Sequence, residues 1–220
     1  MNLYIYCAGG YGKEVLDIAV RVNNTYKKWD QIFFIDDIIA CKVKNGHKVF
    51  KFEELDELIK HTPAEFVIAN GEPVSRKKIF DKLIVNNYRM TSIIDCNSII
   101  SAKSTIAHGV IISPLCSISS DATLMNNSTV NTMSIIGHDV VIGENSVISS
   151  MVNIGGESEI GDGTYIGMGA LVKEKLKIGN NVIVGMGSVV YNDIPDNMIA
   201  LGNPARVVRR NDNKKIFQLG

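Results

Sequence analysis

Period six dominates this chain, and neither regular backbone structure produces it. Every sixth residue from Ile94 to Val190 is aliphatic without a slip, through Ile100, Ile112, Leu124, Ile136, Ile148, Ile160, Val172 and Val184. Four residues after each anchor stands a second residue, small or β-branched throughout (Ser98, Val110, Ser128, Ser146, Thr164, Ser188) except for Leu176. An α-helix repeats near 3.6 and a strand near 2. Six residues accommodate a short strand plus a corner. The fourth residue and the next anchor are two apart and share one face of that strand, so large anchors and small partners can fill a narrow prism. The corners carry Gly one residue after the anchor (Gly137, Gly143, Gly155, Gly161, Gly167, Gly179, Gly185). Three residues after the anchor they carry Asn97, Gly109, Asp121, Asn127, Asp139, Asn145, Gly163, Gly169, Asn181 and Gly187. Gly, Asn and Asp tolerate left-handed backbone at least cost. Self-similarity at a fixed period predicts a solenoid.

Residues 1–93 read differently. Leu3–Tyr6 predicts a strand, Gly9-Gly10-Tyr11-Gly12 a tight turn, and Val15, Leu16, Ile18, Ala19 and Val22 a helix. Strand, Gly-rich turn and helix begin a βαβ unit whose helix N-terminus offers backbone N–H groups to an anion. Further strands are predicted at Ile32–Ile35, Val49–Phe50 and Phe66–Ala69, and helices at Glu53–Lys60 and Ser75–Ile84, with Ser75 as N-cap. The alternation predicts a small open parallel sheet. Ligands of such sheets bind at the carboxyl ends of the strands, the edge on which Gly10, Asp36 and Gly71 fall. The glycines serve equally as plain turn residues, and Asp36-Asp37 as a solvated strand end.

Lys+Arg 23 balances Asp+Glu 23, so no net field attracts nucleic acid or anionic lipid. No apolar run is long enough to span a membrane, and the N-terminus has no signal-peptide pattern. Cys7, Cys41, Cys96 and Cys116 have no metal or redox spacing. Reduced thiols in a cytoplasmic protein are the expectation.

The repeat from Ile94 to Val190, with the tail Gly202-Asn203-Pro204-Ala205-Arg206, resembles the hexapeptide-repeat acyltransferases. That resemblance implies a left-handed parallel β-helix, three hexapeptides to a triangular coil, over residues 94–220. With the opening Ile5-Tyr6-Cys7-Ala8-Gly9-Gly10-Tyr11-Gly12-Lys13, the chain resembles one subgroup. These are bacterial nucleotide-amino-sugar N-acetyltransferases and their sialic acid O-acetyltransferase relatives. The resemblance implies a Rossmann-like domain over 1–93 that holds the nucleotide through Gly9, Gly10, Tyr11, Asp36, Asp37, Asn70 and Gly71. Family turns more often have Ser and His where Gly10 and Tyr11 stand, which leaves the backbone to make those contacts.

Two histidines lie in the repeat, His108 and His138, thirty residues apart and hence on different edges of a prism with eighteen residues per coil. A lone corner His is ordinarily solvated, which is the reading of His108. His138 lies in Gly137-His138-Asp139-Val140-Val141-Ile142-Gly143, similar to the segment holding the family's catalytic base. One coil further is Gly156, whose missing side chain leaves room beside His138. By resemblance Asp139 makes the imidazole more basic; by position it is turn chemistry; both readings stand. The resemblance also implies acetyl-CoA in the groove between two prisms of a homotrimer, contacting Gly156, Met168 and Gly185. Arg206, Arg209 or Arg210 would lie near the coenzyme phosphates or be ordinary surface charges. Relatives often carry a second His where this chain has Val147.

An imidazole, with an unperturbed pKa of about 6.5, suits removal of a proton from an attacking amine. No Ser or Cys nucleophile is paired with a base in the sequence, so direct transfer is expected. The leading expectation is acetyl-CoA-dependent N-acetylation of a nucleotide-linked amino sugar in surface glycan synthesis, with sugar O-acetylation on the same scaffold as the alternative. A metal lyase of the carbonic anhydrase type, which needs three convergent histidines, is disfavoured, and no metal is expected. A non-catalytic dinucleotide-binding or scaffold protein is disfavoured by the presence of His138.

Overall fold

The computed structural model describes residues 1–213 and 215–216. The N-terminal unit comprises β1 (Asn2–Tyr6), α1 (Gly10–Tyr26), β2 (Gln31–Ile35), β3 (Val43–Lys44), β4 (His47–Phe50), α2 (Leu55–Ile59), β5 (Ala64–Ile68) and α3 (Pro73–Val85). Its sheet has the order β3-β4-β2-β1-β5 and is parallel except for the β3–β4 hairpin. Period-two alternation builds the two layers. Leu3 and Ile5 face α1 through Val15, Ile18 and Ala19, while Tyr4 and Tyr6 pack with Phe66, Ile68, Leu55 and Leu83 on the other face.

Three local expectations change. Residues Glu53–Lys60 do not form one helix: a 3₁₀ turn at Phe52–Glu54 precedes α2. Helix α3 begins at Pro73 with Glu72 as N-cap, so Ser75 lies inside its first turn. Proline suits the first helical position because its φ is preset and its missing N–H would have had no helical partner. Strand β3 was not anticipated. Asn45 and Gly46, at φ 48° and 78°, make the left-handed two-residue turn that closes a tight hairpin.

From Ile93 to Val190 the chain forms three parallel sheets, each strand residue pairing with the one eighteen positions on. One ladder runs Ile100, Ile118, Ile136, Ile154, Val172, Val190. Three hexapeptides therefore close each coil. The anchors from Ile112 to Val190 are buried, and Ile94, Ile100 and Ile106 of the first coil are partly covered. The small fourth residues are interior too, and their hydroxyls are fully used. Ser146 Oγ donates to the Gly161 carbonyl (2.7 Å) and accepts from the Thr164 amide (3.0 Å). Thr164 repeats the bridge to Gly179 and Val182 one coil on. Ser98, Ser134 and Ser158 make the same coil-to-coil bridge, while Ser104 and Ser128 donate to carbonyls of their own turn, so the core tolerates these small polar side chains because each is hydrogen-bonded.

The left-handed corners fall three residues after the anchors, at Asp121, Asn127, Asp139, Asn145 and Asn181, but also at Leu115, Met133, Met151, Glu157 and Lys175. Coil geometry imposes the conformation even on unfavourable residue types. Asn97 is an exception: it lies outside the left-handed set, in a turn capped by Asp95 Oδ1. The glycines just after the anchors have another reason. A Cβ on Gly137 would come within 2.7 Å of the Gly156 amide nitrogen, so these positions serve the close approach of stacked coils.

The last strands, Met198–Gly202 and Ala205–Arg210, form an antiparallel hairpin added to one sheet. The outer face of that sheet also receives the N-terminal unit. Ile93 and Ile111 join the cluster of Leu3, Ile5 and Val15, and Arg21 pairs with Asp95 at 2.7 Å. Among the described residues no helix is long and apolar enough to cross a membrane.

Candidate active site

His138 sits in a corner column with Ser120 and Gly156, joined by the hydrogen bonds Asp139 N–Ser120 O (3.1 Å) and Glu157 N–His138 O (2.8 Å). The left-handed backbone of Asp139 (φ 58°) folds its carboxylate back onto the neighbouring ring. His138 Nδ1 lies 2.8 Å from Asp139 Oδ2. A carboxylate only accepts, so Nδ1 carries a hydrogen and, in the neutral ring, Nε2 is left with the lone pair. The side chain is 60% exposed. Asp139 thus fills the corner and orients the imidazole at once.

The room beside Gly156 is taken by that imidazole. A Cβ on Gly156 would stand 2.5 Å from His138 Nε2 and 2.6 Å from Cε1. The glycine therefore fixes where the ring can lie. His108 occupies a different corner column, above Asn126, and is exposed.

Met168 and Gly185 lie in the column of Ser150, on the edge across the sheet that contains Ile135–Ile136 and Asn153–Ile154. One chain does not bring them together with His138. Met168 is half exposed, and Gly185 packs under the tail, where a Cβ would meet Leu201 Cδ2 at 2.2 Å. Val147 is buried in a third sheet, paired with Thr129 and Tyr165. Arg206, Arg209 and Arg210 are exposed along the final strand.

The residues expected at the nucleotide edge do converge at the carboxyl ends of β1, β2 and β5. A Cβ on Gly9 or Gly10 would meet nothing within 4 Å, and no side chain caps α1. The turn is uncrowded and the first amides of that helix have no side-chain cap, an arrangement suited to phosphate. Gly12 is different: a Cβ there would strike the Cys7 carbonyl at 2.2 Å, so it serves close helix–strand packing.

The side chains at this edge divide by accessibility. Asp36 is buried, and its oxygens accept from the amides of Ala8, Ile38 and Ile39 (2.8–2.9 Å); the carboxylate knits the two turns together. Tyr11 hydrogen-bonds Thr129 and Asn131 of the β-helix through its hydroxyl. Asn70 accepts from the Glu72 amide and reaches Cys7 Sγ, with Gly71 beside it. Asp37 is 41% exposed and borders a cleft with Lys51, Phe52, Glu53 and Lys82. Burial pushes its carboxyl up, but the Tyr6 hydroxyl, the Phe52 amide and Lys82 outweigh this and hold it below the usual range. Lys82 also lies 3.5 Å over the Phe52 ring. Sequence reading missed Phe52, Lys82 and the buried Arg76, because nothing in their spacing separates them from ordinary helix and loop residues. Among the described residues no three His, Cys, Asp or Glu side chains gather to hold a metal ion.

Comparison with known proteins agrees with this architecture. Residues 2–83 match the family described as the PglD N-terminal domain, and residues 157–192 match the bacterial transferase hexapeptide (six repeats). A GDP-perosamine N-acetyltransferase of Escherichia coli O157:H7 is 30% identical over 125 residues. That match spans 54% of this chain and 55% of the relative, about half of each. The acetyltransferase domain of PglB from Neisseria gonorrhoeae FA1090, solved in complex with acetyl coenzyme A, is 26% identical, with a TM-score of 0.88 over 94% of this chain and 98% of that one. WeeI from Acinetobacter baumannii AYE is 29% identical, with a TM-score of 0.86 over 94% of this chain and 100% of that one.

Proposed function

Because the chain belongs to the hexapeptide-repeat acyltransferases that carry a PglD-type N-terminal domain, we propose that it transfers the acetyl group of acetyl-CoA to the amine of a nucleotide-linked amino sugar. The observation that carries the reading is the His138–Asp139 pair, with the imidazole largely open to solvent and seated on Gly156. The acceptor amine attacks the thioester carbonyl and gives its proton to Nε2. The tetrahedral intermediate then collapses, and the coenzyme leaves as a thiol after taking that proton back from Nε2. Asp139 keeps Nδ1 protonated and the imidazole oriented. Direct transfer needs no enzyme-bound acyl group.

In this reading residues 1–93 hold the nucleotide. The amides at Gly9 and Gly10 meet phosphate, Asp37 and the Asn70-Gly71 turn line the site, and residues 94–220 carry out the transfer. The coenzyme lies between two prisms. Support comes from the separation of Met168 and Gly185 from His138 and Gly156 on two edges of one prism. The face between those edges exposes Ile99, Ile135 and Leu171, as a homotrimer interface would require. We place the enzyme in the cytoplasm, where acetyl-CoA and sugar nucleotides meet, in bacterial surface polysaccharide synthesis. The test is thiol release from acetyl-CoA against a panel of UDP- and GDP-linked amino sugars. At least one member should release thiol and yield an amide. Thiol release with an ester as the product would move the reading to O-acetylation, and silence across the panel would overturn it.

A further inference from the structure

Two side chains leave the turns at the nucleotide edge and enter the β-helix. Arg76, in the first turn of α3, is completely buried. Its Nη1 donates to the carbonyls of Ile68 (2.8 Å) and Asn70 (3.0 Å) in its own domain. Its Nε and Nη2 donate to the Asn127 carbonyl (3.0 and 2.7 Å), and Nη2 also to Asn127 Oδ1 (2.9 Å), across the domain boundary. Asn127 Nδ2 returns a bond to the Arg76 carbonyl (3.3 Å) and continues to Asn145 Oδ1 in the next coil (2.8 Å). The second side chain is Tyr11, whose hydroxyl meets Thr129 Oγ1 and Asn131 Oδ1. Both ligand-edge turns, Gly9–Tyr11 and Ile68–Asn70, are thus fastened to one stretch, residues 127–131, which runs on into the His138 corner.

Adhesion alone does not account for this choice of residues. The interface already has Ile93 and Ile111 packed into the N-terminal core. A buried guanidinium is costly to desolvate, and an apolar side chain would hold two domains together at least as well. Burial pushes the Arg76 guanidinium down to about 10, while every acceptor named above is a carbonyl oxygen. What the planar fork adds is geometry: it is satisfied only when the oxygens of Ile68, Asn70 and Asn127 occupy one relative arrangement.

We propose that Arg76 and Tyr11 are positioning residues that set the register between the nucleotide-holding edge and the β-helix, and so the place to which the acceptor amine is delivered. This rests on the reading that the N-terminal edge holds the acceptor's nucleotide. A group gripped at one end swings at the other, and a misplacement of about 1 Å at the reacting atoms costs about 10²-fold in rate.

The test uses the full chain with Arg76→Lys, which keeps the charge and loses the fork, and Tyr11→Phe, which loses one hydroxyl. Steady-state kinetics for both substrates are combined with calorimetric binding of GDP and UDP and with hydrogen exchange. In both variants kcat should fall by about 10- to 10²-fold, while the KM for acetyl-CoA and the nucleotide Kd stay within about threefold. Exchange should rise in residues 7–12 and 69–72 and stay unchanged in the strands from Ile135 to Val172. A folded Arg76→Lys or Tyr11→Phe protein with kcat within about twofold of wild type overturns the proposal, as does a loss confined to the acetyl-CoA KM. If wild type acetylates no member of the panel, the functional reading fails separately. Unchanged exchange in both turns would then overturn the register claim by itself.

Discussion

At the residue scale, His138 owes its geometry to its two neighbours in space. Gly156 is the seat of the ring and Asp139 its orienting partner. Gly156→Ala places a methyl where the imidazole lies, so kcat should fall by about 10²-fold or more, within the range that a positioned base contributes. Asp139→Asn preserves a residue that tolerates φ 58° and removes the charge; a fall of about tenfold with unchanged melting would separate orientation from turn chemistry. The reference for both is His138→Ala, with His108→Ala expected to remain near wild type. The two nucleotide-edge aspartates part company as well. Asp36 accepts three backbone amides, so Asp36→Ala should destabilise the fold by roughly 1–3 kcal/mol, read from chemical denaturation. Asp37→Ala should raise the acceptor KM, because Asp37 borders the open cleft, and should also cost some stability, because its carboxylate accepts from the Phe52 amide and the Tyr6 hydroxyl. Adjacent residues in a sequence need not touch, so the His138–Asp139 contact became legible only with the left-handed corner in view.

At the scale of elements, the repeat was almost wholly legible. Its anchors and small partners follow from period six and from the size of side chain that fits a narrow prism, whereas the eighteen-residue ladder is what the family resemblance implied. The hydroxyl bridges were not, since a small polar residue at an interior position looks the same whether or not it joins two coils. Ser146→Ala removes the acceptor of the Thr164 amide and the donor to the Gly161 carbonyl. It should cost roughly 1–3 kcal/mol of stability in a denaturant titration, although it replaces a polar side chain by an apolar one in a core. If Ser146→Ala proved neutral, the bridges would contribute nothing beyond filling space. In the N-terminal unit the alternation of strand and helix was readable. The β3–β4 hairpin was overlooked although Asn45-Gly46 is a strong turn signal. Ser75 has the residue type of an N-cap, but Pro73, with its preset φ, starts α3 two residues earlier.

At the scale of the whole molecule, the arrangement of the two units was the part the sequence withheld. Arg76 reads as any charged residue on a helix, and only the fold shows it buried against Asn127. A single chain also leaves its apolar face with Ile99, Ile135 and Leu171 uncovered and splits the expected coenzyme residues between two edges. Sedimentation equilibrium at micromolar concentration should therefore report a trimer; a monomer would contradict the placement of the coenzyme between prisms.

The central claim is that one unit grips a nucleotide while the other acetylates the sugar attached to it. It is tested most directly by comparing the acetylation of a nucleotide-linked amino sugar with that of the same amino sugar lacking the nucleotide, at saturating acetyl-CoA. Remote binding energy should appear in the rate, so kcat/KM should be at least about 10²-fold higher for the nucleotide-linked acceptor. Equal kcat/KM for the two acceptors would contradict the account.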